Sequence, residues 1–136
     1  MSGIETAARV AALREKAARA RFGSAGAALR AAEEHSADQV ARLSATAQPT
    51  GGDAGDLRDW HSTTLLRADA ARTAEAAVTE AADARQAALL DWQDLSRRRE
   101  ALDEVVRRWR AAQRVKADKD AQRLMDDLAK RRKEWS

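Results

Sequence analysis

The sequence predicts an all-α fold: an antiparallel two-helix coiled-coil hairpin with a longer C-terminal helix. Three observations predict it: the composition, the spacing of apolar residues and the position of the helix breakers. Alanine fills 34 of the 136 positions, and only 26 residues are large and apolar. So few large side chains cannot fill a layered core around a pocket, which excludes an ordinary α/β enzyme. The shortage of aromatic and β-branched residues excludes a β-sandwich or barrel, whereas abundant Ala, Glu, Arg, Leu and Lys is typical of long helices.

The strong helix breakers are confined to one stretch, which holds the only proline, Pro49, and the neighbouring glycines Gly51 and Gly52. Proline removes an amide donor and clashes with the preceding helical turn, and paired glycines add backbone entropy. We therefore expect a single coiled-coil domain over 1–136, with helix one at about 3–45, a loop at about 46–55 and helix two at about 56–135. Asp56 is the predicted N-cap of the second helix.

The first predicted helix has apolar residues at steps of three and four, which is the period of a helix and not of a strand. This stripe consists of Ile4, Ala8, Ala11, Ala18, Phe22, Ala25, Leu29, Ala32, Val40 and Leu43. A second, adjacent stripe consists of Val10, Leu13, Ala17 and Ala20. Because glycine is unfavourable within a helix, Gly23 and Gly26 predict a bend or a close helix–helix approach.

The second predicted helix contains neither proline nor glycine from residue 57 to residue 135. At 1.5 Å per residue, such a helix would be roughly 120 Å long if unbroken. Its apolar positions alternate at three and four residues, as in a coiled coil. They are Leu57, Trp60, Thr64, Ala71, Ala74, Val78, Ala81, Ala88, Trp92, Leu95, Arg99, Leu102, Val106 and Trp109. A second phase follows at Ala117, Ala121, Leu124, Leu128, Arg131 and Trp135.

Charge and cysteine content narrow the class of protein further. The net charge of +3 is the balance of 25 basic and 22 acidic residues, which describes a solvated surface with mixed charges. With no cysteine, the chain can form neither a disulfide nor a thiolate metal site, which suits a reducing cytoplasm. No apolar run is long enough to span a membrane, and the N-terminus lacks the apolar region of a secretory signal.

The residues offer little for catalysis or for binding a cofactor. The two histidines, His35 and His61, have no second histidine or cysteine nearby with which to hold a metal. His61 has hydroxyl residues beside it in sequence, but these lie on different helical faces. No phosphate-binding loop is present, because Gly51-Gly52 is not followed by Lys-Ser/Thr. We therefore expect no enzyme activity, no catalytic residue, no cofactor and no metal.

The four tryptophans and the basic C-terminus are candidates for contacts with partners. Trp92 and Trp109 share the coiled-coil phase and are expected in the core, whereas Trp60 and Trp135 are expected to face a partner. The cluster 130–133 can complement the helix dipole, attract nucleic acid or anionic lipid, or bind an acidic protein surface. Nearby acidic residues dilute its field, so no nucleic acid is expected, and binding to nucleic acid or an anionic membrane surface remains the alternative function.

The segment Ala121–Arg131 resembles the end of the flagellar FliJ family. That family closes with a glutamine, basic residues, a Met-Asp-acid triplet, an apolar residue, alanine, a polar residue and arginine. The matching residues here are Gln122, Arg123, Met125, Asp126, Asp127, Leu128, Ala129, Lys130 and Arg131. The chain is also similar to the family upstream, at Trp60, Trp92, Arg97-Arg98-Arg99, Ala101, Arg108 and Ala111-Ala112. The middle of the chain departs from the family, because alanine replaces its glutamine- and aromatic-rich stretch.

The resemblance implies a small cytoplasmic component of flagellar type III protein export, and so a role in flagellum biogenesis, motility and chemotaxis. Such proteins form a two-helix stalk that sits in the hexameric export ATPase, contacts the membrane export gate and handles export chaperones. It implies a location on the inner face of the cell membrane, as a peripheral component. By analogy, the terminal residues Gln122, Leu124, Met125, Asp126, Leu128 and Arg131 would enter the ATPase ring. The loop-proximal residues Leu43, Trp60 and Leu66 would face the gate. A plain dimeric coiled coil is a further, weaker possibility.

Overall fold

The computed structural model describes residues 3–135, which form two helices, α1 (Gly3–Ser44) and α2 (Ala54–Glu134). The described residues contain no strand. Residues 45–53 connect the helices and include the predicted breakers Pro49 and Gly51-Gly52. This confirms the predicted all-α helical hairpin with a longer second helix.

The second helix begins two residues earlier than predicted, because Asp53 and not Asp56 is its N-cap. Asp53 Oδ1 accepts a hydrogen bond from the Asp56 amide at 3.0 Å, and Asp56 Oδ2 accepts one from the Asp53 amide at 3.4 Å. This reciprocal arrangement is a capping box, with aspartate in the place of the usual glutamate. Gly52 precedes it with a φ of 113°, a conformation that glycine adopts without steric cost.

The chain divides into two compact units, each of which contains part of both helices. The loop unit comprises residues 16–94, and the terminal unit comprises the described residues 3–15 and 95–135. Within each unit the residue numbers of paired groups run in opposite directions, as an antiparallel hairpin requires.

The loop unit is held together by alanines and by one aromatic pair. Ala18, Ala71 and Ala74 are buried. Phe22 stacks on Trp92 with ring centroids 5.5 Å apart, and the Arg85 guanidinium lies 5.0 Å from the centre of the Phe22 ring. Such contacts add about 0.5–1.5 kcal/mol to the gain from burial alone.

The end of α1 is closed by the second helix of the same unit. Arg67 donates hydrogen bonds to the Arg42 carbonyl oxygen and to Thr46 Oγ1. The last carbonyl groups of a helix have no partner within the helix, so this arginine satisfies one of them. The contact fixes where the chain leaves α1.

The terminal unit has a polar layer between its helices. Arg99 pairs with Glu15 across the interface at 4.0 Å and with Asp103 along α2 at 3.2 Å. About two turns further along α2 Val106 is buried, and about three turns from the first pair on each helix Arg110 Nε lies 3.4 Å from Glu5 Oε1. The interface in this unit therefore alternates between apolar and charged contacts.

Up to Trp109, the residues of the predicted main stripe on each helix are buried or half-buried, with two exceptions. Gln39, and not the predicted Val40, is half-buried, because a strict repeat from Leu43 reaches position 39. Leu57 is 49% exposed, as it lies in the first turn of α2. The expected close helix–helix approach at Gly23 and Gly26 is wrong: a Cβ at Gly23 would meet nothing within 4 Å, and α1 continues through both glycines. At Gly26 a Cβ would make only ordinary contact with arginine side chains.

Candidate functional site

The last part of α2 extends past the start of α1. Glu5 lies near the beginning of α1 and already contacts Arg110, so the residues after it on α2 run beyond the first helix. We call residues 111–134 the C-terminal extension. All of them are exposed. In a helix with apolar residues at three-and-four spacing, such exposure leaves a face to which another helix can pack.

The predicted terminal site residues all lie on this C-terminal extension. Leu124, Met125 and Leu128 have exposed fractions of 62%, 66% and 55%. Gln122 donates a hydrogen bond to Asp126 at 3.2 Å along the same helix. Met125 and Leu128 line one shallow groove with Ala129, Arg132 and Lys133, and Leu124, Asp126 and Arg131 lie outside that lining. The structure therefore brings these residues onto one exposed helical segment, in which apolar and charged side chains adjoin.

The loop-proximal residues are less alike in their surroundings. Leu43 and Trp60 are half-buried, whereas Leu66 is 71% exposed. Because they are six residues apart, Trp60 and Leu66 project about 120° apart around α2. Leu66 therefore does not share the face of Trp60. The structure instead groups Trp60 with Leu57, His61 and Gln48 around a surface groove of about 570 Å³.

The tryptophans divide in the structure nearly as their spacing predicted. Trp92 and Trp109, at coiled-coil positions, are half-buried, and Trp135 is 91% exposed. Trp60 is half-buried, and its indole Nε1 is buried with no hydrogen-bond partner among the protein atoms. A buried indole N–H usually finds a partner, so this edge of the loop unit is polar but incompletely satisfied.

Several exposed apolar residues lie outside the predicted sites. The most exposed of them are Leu13 (68% exposed) on α1 and Leu90 (57%) on α2, and Val10, Leu65 and Val105 are less exposed. The sequence identifies them by position, because each lies outside the three-and-four stripe that the helices bury. Val10 and Leu13 belong to the second stripe predicted on α1, and that stripe remains exposed.

The described part of the chain, residues 3–135, contains no cluster of three or more His, Cys, Asp or Glu side chains that could hold a metal ion. Several ionisable groups form exposed ion pairs along the helices, such as Glu104 with Arg108 at 3.1 Å. Within the same residues, neither helix combines the length and the apolarity that a membrane crossing requires. The arrangement offers helical surfaces for packing and ion pairing.

Comparison with known proteins agrees with this architecture. The sequence model of the flagellar FliJ protein matches residues 3–133, which is nearly the whole chain. No curated protein and no solved structure gives a match. The match includes the C-terminal extension and its Met125-Asp126-Asp127 triplet. The chain therefore belongs to the flagellar FliJ protein family, the helical coiled-coil proteins associated with flagellar protein export.

Proposed function

We propose that this protein is a non-enzymatic stalk that links the hexameric export ATPase to the membrane export gate and handles export chaperones. The observation that carries the proposal is the C-terminal extension, in which an exposed apolar stripe continues the coiled-coil spacing beyond the first helix. In this proposal the terminal residues enter the ATPase ring and the loop-proximal residues contact the gate. The protein works in the cytoplasm, against the inner face of the cell membrane.

The C-terminal extension has the chemistry of a helix that inserts among other chains. Leu124 and Leu128 are four residues apart, so they lie on one face and offer an apolar strip. Asp127 and Arg132 flank that strip with charged groups and Arg131 continues it, whereas Gln122 and Asp126 lie on the opposite face of the helix. An apolar centre with a polar rim is the usual composition of a specific protein interface.

The loop-proximal end supplies a second, separate contact. Leu66 is 71% exposed on α2, and Trp60 presents part of its ring in a groove with Leu57. Large aromatic and apolar side chains often carry most of the binding energy at an interface. Because Leu43 is half-buried beside the connection, it supports this end from α1.

Deletion and complementation in the source bacterium test the proposal. A deletion strain is expected to export little flagellin and to swim poorly, and the unaltered gene restores both. The double substitution L124E/L128E is expected to fail to restore export, because two carboxylates in an apolar contact must be desolvated without partners. Normal export and swimming in the deletion strain would contradict the stalk function.

The matched control is L90E, which also puts glutamate at an exposed leucine of α2 but lies outside both proposed contacts. It is expected to restore export fully. L66E tests the gate contact, and it should weaken capture of the gate protein while leaving capture of the ATPase unchanged. The reverse is expected for L124E/L128E. If both variants impair the same contact, the assignment of one end to each partner is wrong.

A further inference from the structure

The two flanks of the terminal unit differ in chemistry, although the same two helices form both. One groove, here the charged flank, is lined by Glu5, Ala8, Arg9, Ala12, Glu100, Asp103, Val106, Arg107 and Arg110. The other, here the apolar flank, is lined by Gly3, Thr6, Ala7, Val10, Ala11, Arg14, Leu95, Arg98 and Leu102. The two grooves share no residue. Each is therefore a separate surface, and their linings can be compared directly.

The acidic and basic residues of the charged flank are equal in number. It contains three acidic and three basic residues, and Glu5 and Arg110 pair across it at 3.4 Å. Asp103 is bonded to Arg99 in the adjoining polar layer. A surface on which charges of both signs are balanced favours neither an acidic nor a basic partner.

The lining of the apolar flank is more hydrophobic than that of the charged flank, and its charged residues are all of one sign. The groove has a volume of about 430 Å³ and is lined by the apolar residues Val10, Leu95 and Leu102. Val10 remains 40% exposed. The two charged residues of the groove, Arg14 and Arg98, are both basic, and no acidic residue lines it. On α1 its lining runs from Gly3 to Arg14, which is roughly three helical turns or about 17 Å.

We propose that this apolar flank of the terminal unit binds an acidic amphipathic helix of another protein. The small residues Gly3, Ala7 and Ala11 allow a third helix to approach α1 closely, as small residues do at helix contacts. The partner's apolar residues at i, i+3 and i+7 fit the length of the groove, and its carboxylates meet Arg14 and Arg98. The inference goes beyond the proposed stalk function, which uses the C-terminal extension and the loop-proximal end.

Charge selects this occupant over a second copy of the chain. If two copies packed flank to flank about a two-fold axis, each would bring Arg14 and Arg98 to an interface that already holds the other pair. Like charges placed together in an interface are unfavourable, whereas acidic residues complement them. A heterologous acidic helix therefore fits the surface better than self-association does.

The test measures binding of a fluorescent peptide to the full chain by anisotropy. The probe is a synthetic peptide of about 20 residues, long enough to form a helix when bound, with leucine at its apolar positions and glutamate beside them. One comparison peptide replaces each glutamate by lysine, and another replaces each leucine by serine. We expect the acidic leucine peptide to bind at least about tenfold more tightly than either. Its affinity should fall between about 0.05 and about 0.5 M salt, where surface charges are screened.

A matched pair of variants locates the binding surface. A7E/V10E places two glutamates in the apolar flank, whereas A12E/L13E places two on the same helix outside it, and all four positions are exposed. Both add the same charge, and circular dichroism checks that each remains helical. We expect A7E/V10E to weaken binding of the acidic peptide about tenfold or more and A12E/L13E to change it less than about twofold.

Several outcomes would overturn the proposal. They are equal binding of the lysine peptide, unchanged binding to A7E/V10E, and loss of binding only in L124E/L128E, which would place the site on the C-terminal extension. Sedimentation is measured in parallel. If the chain dimerises and A7E/V10E alone makes it monomeric, a second copy occupies the flank and the heterologous partner is wrong. Failure of the stalk function leaves this peptide result unaffected, because no export partner takes part in the assay.

Discussion

Replacing Arg99 with leucine is expected to destabilise the terminal unit, whereas replacing Glu15 and Arg99 together is expected to stabilise it. These side chains face each other across the helix interface at 4.0 Å. Glu15 is only 18% exposed, and Arg99 is 33% exposed. The guanidinium Nε of Arg99 is buried without a hydrogen bond, so the pair is desolvated but imperfectly satisfied.

The opposite signs follow from the cost of burying charge. In R99L, the Glu15 carboxylate faces the new leucine, which costs about 1–3 kcal/mol, and loss of the Asp103 pair along α2 costs about 0.3–0.5 kcal/mol. Partial burial of the new leucine side chain stabilises the folded state by about 1 kcal/mol. The net expectation is a loss of about 0.3–2.5 kcal/mol. In E15L/R99L the carboxylate is absent and two leucines meet, so we expect a gain of about 1–2 kcal/mol, the lower end of the gain at fully buried ion pairs, because this pair is partly exposed.

Urea and thermal denaturation, followed by circular dichroism at the helical band, measure both changes. One kcal/mol corresponds to a shift in Tm of roughly 3–5 °C in a domain of this size. E15L completes the double-mutant cycle and gives the coupling between the two residues. If R99L is as stable as the unaltered chain, or if the double variant loses as much as the two single variants together, the reasoning is refuted.

Four further changes test other parts of the structure. D53A removes the N-cap of α2 and should lower the free energy of unfolding by about 1 kcal/mol, read from urea denaturation. G52A should lower it by more than about 1 kcal/mol, because the residue has a φ of 113° and a Cβ would strike Asp56 Oδ2. F22A should lower it by about 1.5–2.5 kcal/mol, half the cost at a fully buried site, and should change tryptophan fluorescence. The chain should not bind duplex DNA or phosphatidylserine vesicles through residues 130–133 at about 0.15 M salt; binding that charge reversal there abolishes would favour the alternative function.

The helices and their buried faces could be predicted because two simple patterns specify them. The breakers are concentrated at Pro49 and Gly51-Gly52, so the position of the connection was nearly fixed. Apolar residues at three-and-four spacing identified most half-buried positions. Gln39 was missed because the stripe on α1 was traced through apolar residues, which selected Val40 in place of its polar neighbour. The N-cap was placed at Asp56 because both aspartates are suitable caps, and only their mutual hydrogen bonds distinguish them.

The surfaces were harder to predict than the fold. Val10 was assigned to a second stripe, but the sequence did not indicate that this stripe would lie beside Leu95 and Leu102 from the other helix. That pairing depends on the register between α1 and α2, which alanine-rich helices specify weakly. The ion pairs of Glu5 with Arg110 and of Glu15 with Arg99 define the register within the terminal unit. A surface formed by residues of both helices could therefore be identified only from the structure.

In the C-terminal extension the periodic spacing of apolar residues continues where α1 no longer covers them. Before Trp109 the three-and-four spacing coincides with half-buried residues, because α1 lies against it within each unit. From Ala117 to Trp135 the same spacing continues, yet every residue is exposed. An apolar stripe of this kind gives a solvated helix no stability, whereas it does stabilise a helix that packs against another chain. The persistence of the pattern past the start of α1 is the reason we place the ATPase contact on this segment, and the export phenotype of L124E/L128E tests that placement.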